Sequence, residues 1–334
     1  MNELTRWFGG PVCHTHLRID NDSPEYQPTE NLQFMAPAFI EYLQLLTGDK
    51  NVLTIDTDHP AVYLDPDYSI DDVKPYFYPD RIEATIQDIS IHVSERADLI
   101  RKDGVLRSNI ITGTEVDIIG PTGELDVTDK VLGELGVVIA SFHFWDYMIA
   151  TRQSLGSFIA LDEIINAYEG ALNNLNVDVI GHPTREIREY NRSIEDIPKW
   201  EKVFKKMRDN NVLFEINLAS LKGCNKEQLD YEFEIMQYAL QHGVQFIFGF
   251  DFHNIDQFVD NNLLKDIVDS NNVKLFFEFN KGESNFKFFM FLRRTIKRLE
   301  QLGFKPNDIK NSNYNSFELW RRDKMGTLNV CYAT

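Results

Sequence analysis

The chain has 334 residues, 43% of them hydrophobic, with 52 acidic against 34 basic side chains and a formal net charge of −18. That length suits one large α/β barrel or two smaller domains, and the charge argues against the basic footprint of a protein that tracks a nucleic-acid backbone. Three cysteines without C-x-x-C spacing point to a reducing compartment rather than a disulfide framework. The N-terminus carries no apolar stretch of signal-peptide length, and no run approaches the roughly 20 apolar residues of a membrane span, so a cytoplasmic protein without membrane contact is expected.

Residues 11–16 read as a first strand ending in His14-Thr15-His16. The side-chain period of two puts both imidazoles on one face and Cys13 on the other, as core packing. A helix is predicted over 30–47, with Leu32, Met35, Phe39, Leu43 and Leu46 on one stripe and Gly48 as the stop. Val52-Leu53-Thr54-Ile55 is a second strand and delivers Thr57-Asp58-His59. Residues 60–80, rich in Pro, Asp and Tyr, form a long connection suited to a lid or a packed surface excursion. Asp80 with Glu83 reads as a capping box opening a helix to about residue 102, buried along Ile82, Ile86, Ile89 and Val93, with His92 as a structural residue beside that stripe.

The third strand runs through Ile110-Ile111 to Thr114-Glu115-Val116-Asp117, and Gly120 to Gly123 makes a turn. Val137 to Ala140 is the fourth strand and leads to His143; a helix follows over 157–173. Val177 to His182 is the fifth strand, and 183–195 reads as a second long loop carrying Arg185, Arg188 and Arg192. A helix over 197–209 precedes the sixth strand, Val212 to Asn217. The next helix stops at Gly243, with His242 where the dipole favours a cation. Val244 to Phe250 is the seventh strand and delivers Asp251-Phe252-His253; Val273 to Phe279 reads as an eighth strand or an edge piece. A basic-faced helix over 284–302 and a short one near 306–311 follow.

Strands alternating with helices imply a parallel sheet. Seven or eight such units without a G-x-G-x-x-G signature favour a closed barrel over a doubly wound sheet. No linker divides the chain, so one domain over 1–334 is expected, with its chemistry within 11–255 and C-terminal helices over 284–334 packed on the barrel.

In such barrels catalytic groups come from the C-terminal ends of several strands. Here His14, His16, His59, Glu115, His143, His182, Asp251 and His253 all fall at or near those ends, six of the chain's eight histidines among them. Imidazole mixed with carboxylate suits zinc, manganese or iron more than calcium or magnesium. More than four candidate ligands implies more than one metal, with a carboxylate such as Glu115 bridging.

Seven motifs stand in order: His14-Thr15-His16, Thr57-Asp58-His59, Gly113-Thr114-Glu115, Ser141-Phe142-His143, Gly181-His182-Pro183, Glu215-Ile216-Asn217 and Gly249-Phe250-Asp251-Phe252-His253. Together they resemble the polymerase and histidinol phosphatase (PHP) superfamily of metal-dependent phosphoesterases. The tail from Gly303 to Ile309, followed by Asn311, is similar to that family's C-terminal end. The resemblance implies a distorted (β/α)7 TIM-like barrel with two to three divalent metal ions at its mouth. His14, His16, Glu115 and Asp251 would hold one, and Glu115 would bridge to a second on His143 and His182. A third would rest on His59, His253 and a ligand from the loop after the first strand, where Asp22 is the candidate. The sequence departs from the family pattern at Val12, usually an Asp that supports a ligand, and at Phe250 and Phe252, usually small.

The chemistry so implied is hydrolysis of a small phosphomonoester, by attack of a metal-activated water near Glu115 in line on phosphorus. Guanidinium forks match phosphate, which makes Arg185 and Arg18 the candidate substrate contacts. Within the superfamily the alternatives are a phosphodiesterase or exonuclease, which the acidic balance opposes, and a protein-tyrosine phosphatase. A non-catalytic metal-binding relative is the alternative from another class.

Overall fold

The computed structural model describes residues 6–16, 53–57, 81–104, 106–120, 122–142, 161–185, 193–252 and 283–332. The predicted helix over 30–47, the segment 60–80 and the strand at 273–279 lie outside them. Seven parallel strands close in sequence order: β1 (Val12–Thr15), β2 (Thr54–Asp56), β3 (Ile110–Asp117), β4 (Val137–Ser141), β5 (Val179–Ile180), β6 (Leu213–Asn217) and β7 (Phe246–Phe252). The expected seven-stranded barrel is therefore what forms. Around it lie α1 (Ile82–Lys102), α2 (Leu161–Ala171), α3 (Glu201–Asp209), α4 (Lys226–Gln241), α5 (Glu283–Gln301) and α6 (Tyr314–Tyr332).

Period-two alternation sorts the strand side chains into two cores. Val116, Val138, Ile180, Phe214 and Phe248 face outward and join Tyr168, Trp200, Phe204 and Met236 from the helices. Cys13, Ile55, Val137, Ile139, Val179, Leu213 and Ile247 face inward. This inner layer is closed by Phe317 and Trp320 of α6, a helix the sequence reading did not resolve. Trp320 Nε1 donates to Asn211 O at 3.1 Å, and Lys324 Nζ donates to Val177 O at 2.8 Å and Asn210 O at 3.0 Å. These carbonyls precede β5 and β6, so α6 plugs the N-terminal end of the barrel and leaves the C-terminal end as its mouth.

The seam between β7 and β1 is filled at its base by residues 309–313. Ile309 bridges Phe246, and Asn313 bridges Gly9. Between them the Asn311 side chain accepts from Phe248 N at 2.9 Å and donates to Phe248 O at 2.9 Å and Pro11 O at 3.1 Å. A Cβ on Gly10 would meet Asn311 O at 2.6 Å, so only glycine lets the wedge lie this close.

Several local readings change. α1 starts at Ile82 after Arg81, which makes no side-chain cap, and Asp80 of the supposed capping box lies outside the described residues. α4 does carry a capping box, between Asn225 and Gln228. The loop after β5 ends in a 3-10 turn, Ile194–Trp200, capped by Ser193. His92 is exposed on α1 beside Glu95 rather than packed as a structural residue. Cys13 is not on the face opposite His14. The β1 register shifts between Cys13 and Thr15, and His14 takes φ 58°. The bulge inserts one residue, so Cys13 lines the barrel interior while His14 and His16 both reach the mouth. Burial, with Glu215 adding to it, pushes the Cys13 thiol well above its ordinary range, so it is an inert packing residue.

Candidate metal centre

Four ligand atoms from three strands meet at the mouth. His14 Nε2 lies 2.9 Å from Glu115 Oε2 and 3.7 Å from Asp251 Oδ1. His16 Nε2 lies 3.5 Å and 3.4 Å from the same two oxygens. A tetrahedral ion with ligands at about 2.0–2.2 Å needs ligand–ligand edges of about 3.4 Å, close to the spacing found here. All four residues are buried. A second grouping joins His14, His182 and Asp251. The donor set is imidazole and carboxylate, which fits a divalent transition metal.

His14 is common to the two groupings, and Glu115 links the first to His182. Glu115 Oε2 faces His14 and His16, while its Oε1 faces His182 Nε2 at 2.8 Å and accepts from Ser141 Oγ at 2.7 Å. Asp251 is held in turn. Its Oδ2 accepts from Arg185 Nη1 at 2.8 Å and Asn217 Nδ2 at 3.1 Å.

Glu215 lies beneath this layer. One of its oxygens contacts His14 Nδ1; the other accepts from His182 N at 2.6 Å and Asn217 Nδ2 at 3.2 Å. A Cβ at Gly249 would collide with Glu215 Oε1, so the glycine is what admits this carboxylate. Val12 packs in the outer core, and the carboxylate that contacts His14 Nδ1 comes from β6.

Backbone and charge both mark the mouth as costly. His14 (φ 58°), His182 (φ 24°) and Asp251 (φ 53°) hold positive φ; among the described non-glycine residues the fourth is Asn211. Such residues cost about 1–3 kcal/mol each and cluster at functional sites. Burial opposes the His14 imidazolium, but the carboxylates of Glu115, Glu215 and Asp251 outweigh it and hold its pKa well above the ordinary value. The cage therefore favours a positive charge at this point, as a proton or as a metal ion.

No protein-family model matches the chain. It is 31% identical over 144 residues to a probable phosphatase of Clostridium acetobutylicum, a match spanning 43% of this chain and 52% of that protein. It is 33% identical over 153 residues to the DNA polymerase/3'-5' exonuclease PolX of Bacillus subtilis, spanning 45% of this chain and 23% of that protein. The PHP resemblance of the motifs stands. A probable phosphatase of Clostridium novyi is 29% identical over 161 residues, 48% of this chain and 59% of that protein. The chain thus spans about half the length of the probable phosphatases it matches. A solved histidinol phosphate phosphatase from Lactococcus lactis, complexed with zinc, L-histidinol and phosphate, has a TM-score of 0.43 and 13% identity, covering 89% of this chain and 94% of that one.

Of the PHP-type ligand set, His14, His16, Glu115, His182 and Asp251 converge, and Arg185 joins them through Asp251. Asp22, His59, His143, His253 and Arg18 lie outside the described residues. Glu215, Asn217 and Ser141 appear in the sequence as motif letters without a role. Their positions at the ends of β6 and β4, in the phase of the other mouth residues, are the signal that marks them. His242 is accounted for by the end of α4, where Nδ1 lies 2.8 Å from Tyr238 O. No described helix is long and apolar enough to cross a membrane.

Proposed function

We propose that this chain is a metal-dependent phosphoric monoester hydrolase acting on a small phosphorylated substrate. The convergence of buried imidazoles and carboxylates on strained backbone at one barrel mouth carries the reading, and the probable phosphatases among its relatives support it. His14, His16, Glu115 and Asp251 would hold one ion, and Glu115, His182 and His143 a second. A third would involve His59, His253 and Asp22. Zinc, manganese and iron suit these donors. When bound, such ions supply positive charge to phosphoryl oxygens and acidify water.

The protein's own groups do the rest. Glu215 keeps the His14 ring oriented with Nε2 toward the mouth. Arg185 is held by the Asp251 carboxylate with its side chain 23% exposed, and its fork would take the phosphate. Ser141 and Asn217 fix the carboxylates of Glu115 and Asp251. In this reading the chain is one barrel unit in a cytoplasmic protein, closed at its base by the C-terminal helices.

The test is metal content by elemental analysis of protein purified without chelator, then a panel of phosphomonoesters that includes histidinol phosphate. Hydrolysis that is lost with chelator and in His182→Ala is expected. Protein that is inert on the whole panel with added zinc or manganese would overturn the reading. The match to PolX makes single-stranded DNA ends the control substrate, and faster release of nucleotides than of phosphate from monoesters would favour an exonuclease.

A further inference from the structure

α4 buries Tyr231, Glu232, Phe233, Ile235, Met236 and Ala239 against the barrel. Glu232 is the charged residue in this set. A carboxylate among apolar side chains costs several kcal/mol unless it is held by partners, and leucine would fill the position without that cost. One contact of the carboxylate is with the hydroxyl of Thr184, itself buried, which donates to Glu232 Oε2. Thr184 belongs to the tight turn after β5, closed by Arg185 N donating to His182 O at 2.9 Å. That turn holds His182, at positive φ, two residues before Thr184, and Arg185 one residue after it. Three of its contacts point into the mouth: His182 Nε2 to Glu115, His182 N to Glu215 and Arg185 Nη1 to Asp251. The Thr184–Glu232 contact ties the turn from the opposite side, to the helix layer.

We propose that Glu232 is a positioning residue: through Thr184 it sets the strained turn His182–Arg185, and so the placement of the Arg185 guanidinium that receives the phosphate group. The inference rests on the phosphatase reading for the role of Arg185 but not for the anchoring of the turn. A side chain anchored from both faces cannot drift, whereas a turn held from the mouth alone follows whatever Arg185 binds. Misplacing a binding group by about 1 Å costs up to 100-fold.

Two measurements on the full-length, metal-loaded protein decide it, comparing Glu232→Leu, Thr184→Val and Glu232→Gln with wild type. The first is hydrogen exchange. Glu232→Leu and Thr184→Val should speed exchange in the peptide over 180–185 while α4 and β6 keep their protection, and Glu232→Gln, which still offers Thr184 an acceptor, should restore it. The second is titration with inorganic phosphate. Both disrupting variants should bind it roughly tenfold more weakly, within the loss a displaced binding group causes, and Glu232→Leu should cost nothing further in an Arg185→Ala background. Unchanged exchange in the turn, or a rise spread equally over α4 and β6, overturns the proposal, as does an additive loss in the double variant. A wild type that binds no phosphate and hydrolyses no ester sinks the phosphatase reading alone, because the exchange comparison still reports on the anchor.

Discussion

Replacing Glu215 by Gln tests how the site holds its histidines. The carboxylate is surrounded by donors: His14 Nδ1 on one oxygen, His182 N and Asn217 Nδ2 on the other. Gln has the same shape but one acceptor oxygen and one NH2 group. Either orientation sets that NH2 against a donor, at the His14 ring or at the His182 amide. The variant thus loses one charge-assisted hydrogen bond and leaves a buried donor facing another, about 2–4 kcal/mol. Part of this is offset in metal-free protein, because one of three clustered carboxylates is gone. In metal-loaded protein there is no such offset, since the ion already balances the charge. The penalty should therefore fall on metal affinity, within the roughly 10–100-fold range of outer-sphere changes. At saturating metal the melting-temperature gap between loaded and metal-free protein should shrink by the equivalent of about 1.4–2.8 kcal/mol. Zinc titration against a competing chelator, with thermal melts of both forms, measures both quantities. Wild-type affinity and an unchanged gap would show that Glu215 does not orient His14 towards the ligand position.

Two further perturbations address the frame. Burial pushes the Asp178 carboxyl up to about 6, against the pull of Lys324, the Val138 N–H and Arg321. The native state then binds the extra proton between about pH 4 and 6, so stability falls as pH rises through that window, by about 3 kcal/mol at 1.36 kcal/mol per unit. Asp178→Asn keeps an acceptor for Val138 N and should flatten this slope in urea melts run across the window; an unchanged slope would mean that Asp178 ionises freely. Asn311→Leu removes three hydrogen bonds and strands the amide and carbonyl of Phe248 at the barrel seam. It should lower the urea midpoint by the equivalent of about 3–5 kcal/mol with an unchanged m-value, and a loss below about 1 kcal/mol would mean that water replaces the side chain without cost.

The parts of this fold that were legible in the sequence share one feature: their signal is local and repeated. Most of the seven strands lie in short apolar runs that lead into a polar residue at or just beyond the strand end. His14, Glu115, His182 and Asp251 were found this way. The parts that were not legible depend on partners far away in the chain. Residues 309–313 carry no strand pattern of their own, yet they pair with Phe246 and Gly9 because the seven-stranded ring leaves a gap there. Phe317 and Trp320 look like any apolar stripe until the barrel base is present to receive them. Glu215 and Asn217 resemble solvent-facing polar residues at a strand end until His14, His182 and Asp251 surround them. The period-two rule failed at Cys13 for a stated cause, a bulge that changes the phase by one residue. Sequence alternation cannot show such a bulge, because the strained residue at its centre is a histidine rather than the glycine that would announce it.

Strain and stability divide along the barrel axis. Backbone strain and like-charged carboxylates gather at the mouth, on His14, His182 and Asp251. Hydrogen bonds from Glu215, Asn217 and Arg185 hold these residues at the mouth, and the base fixes the strands that carry them. Asn311 bonds Pro11 and Phe248, each three residues before a strained ligand, His14 in one strand and Asp251 in the other. Fixing those two points fixes the register of β1 against β7, and with it the spacing between His14 Nε2 and Asp251 Oδ1 across the seam. α6 does the same for β5 and β6 through Val177, Asn210 and Asn211. A rigid apolar base therefore lets a polar mouth hold its ligands at metal spacing before any metal arrives, and the electrostatic cost of that arrangement is what an incoming cation relieves.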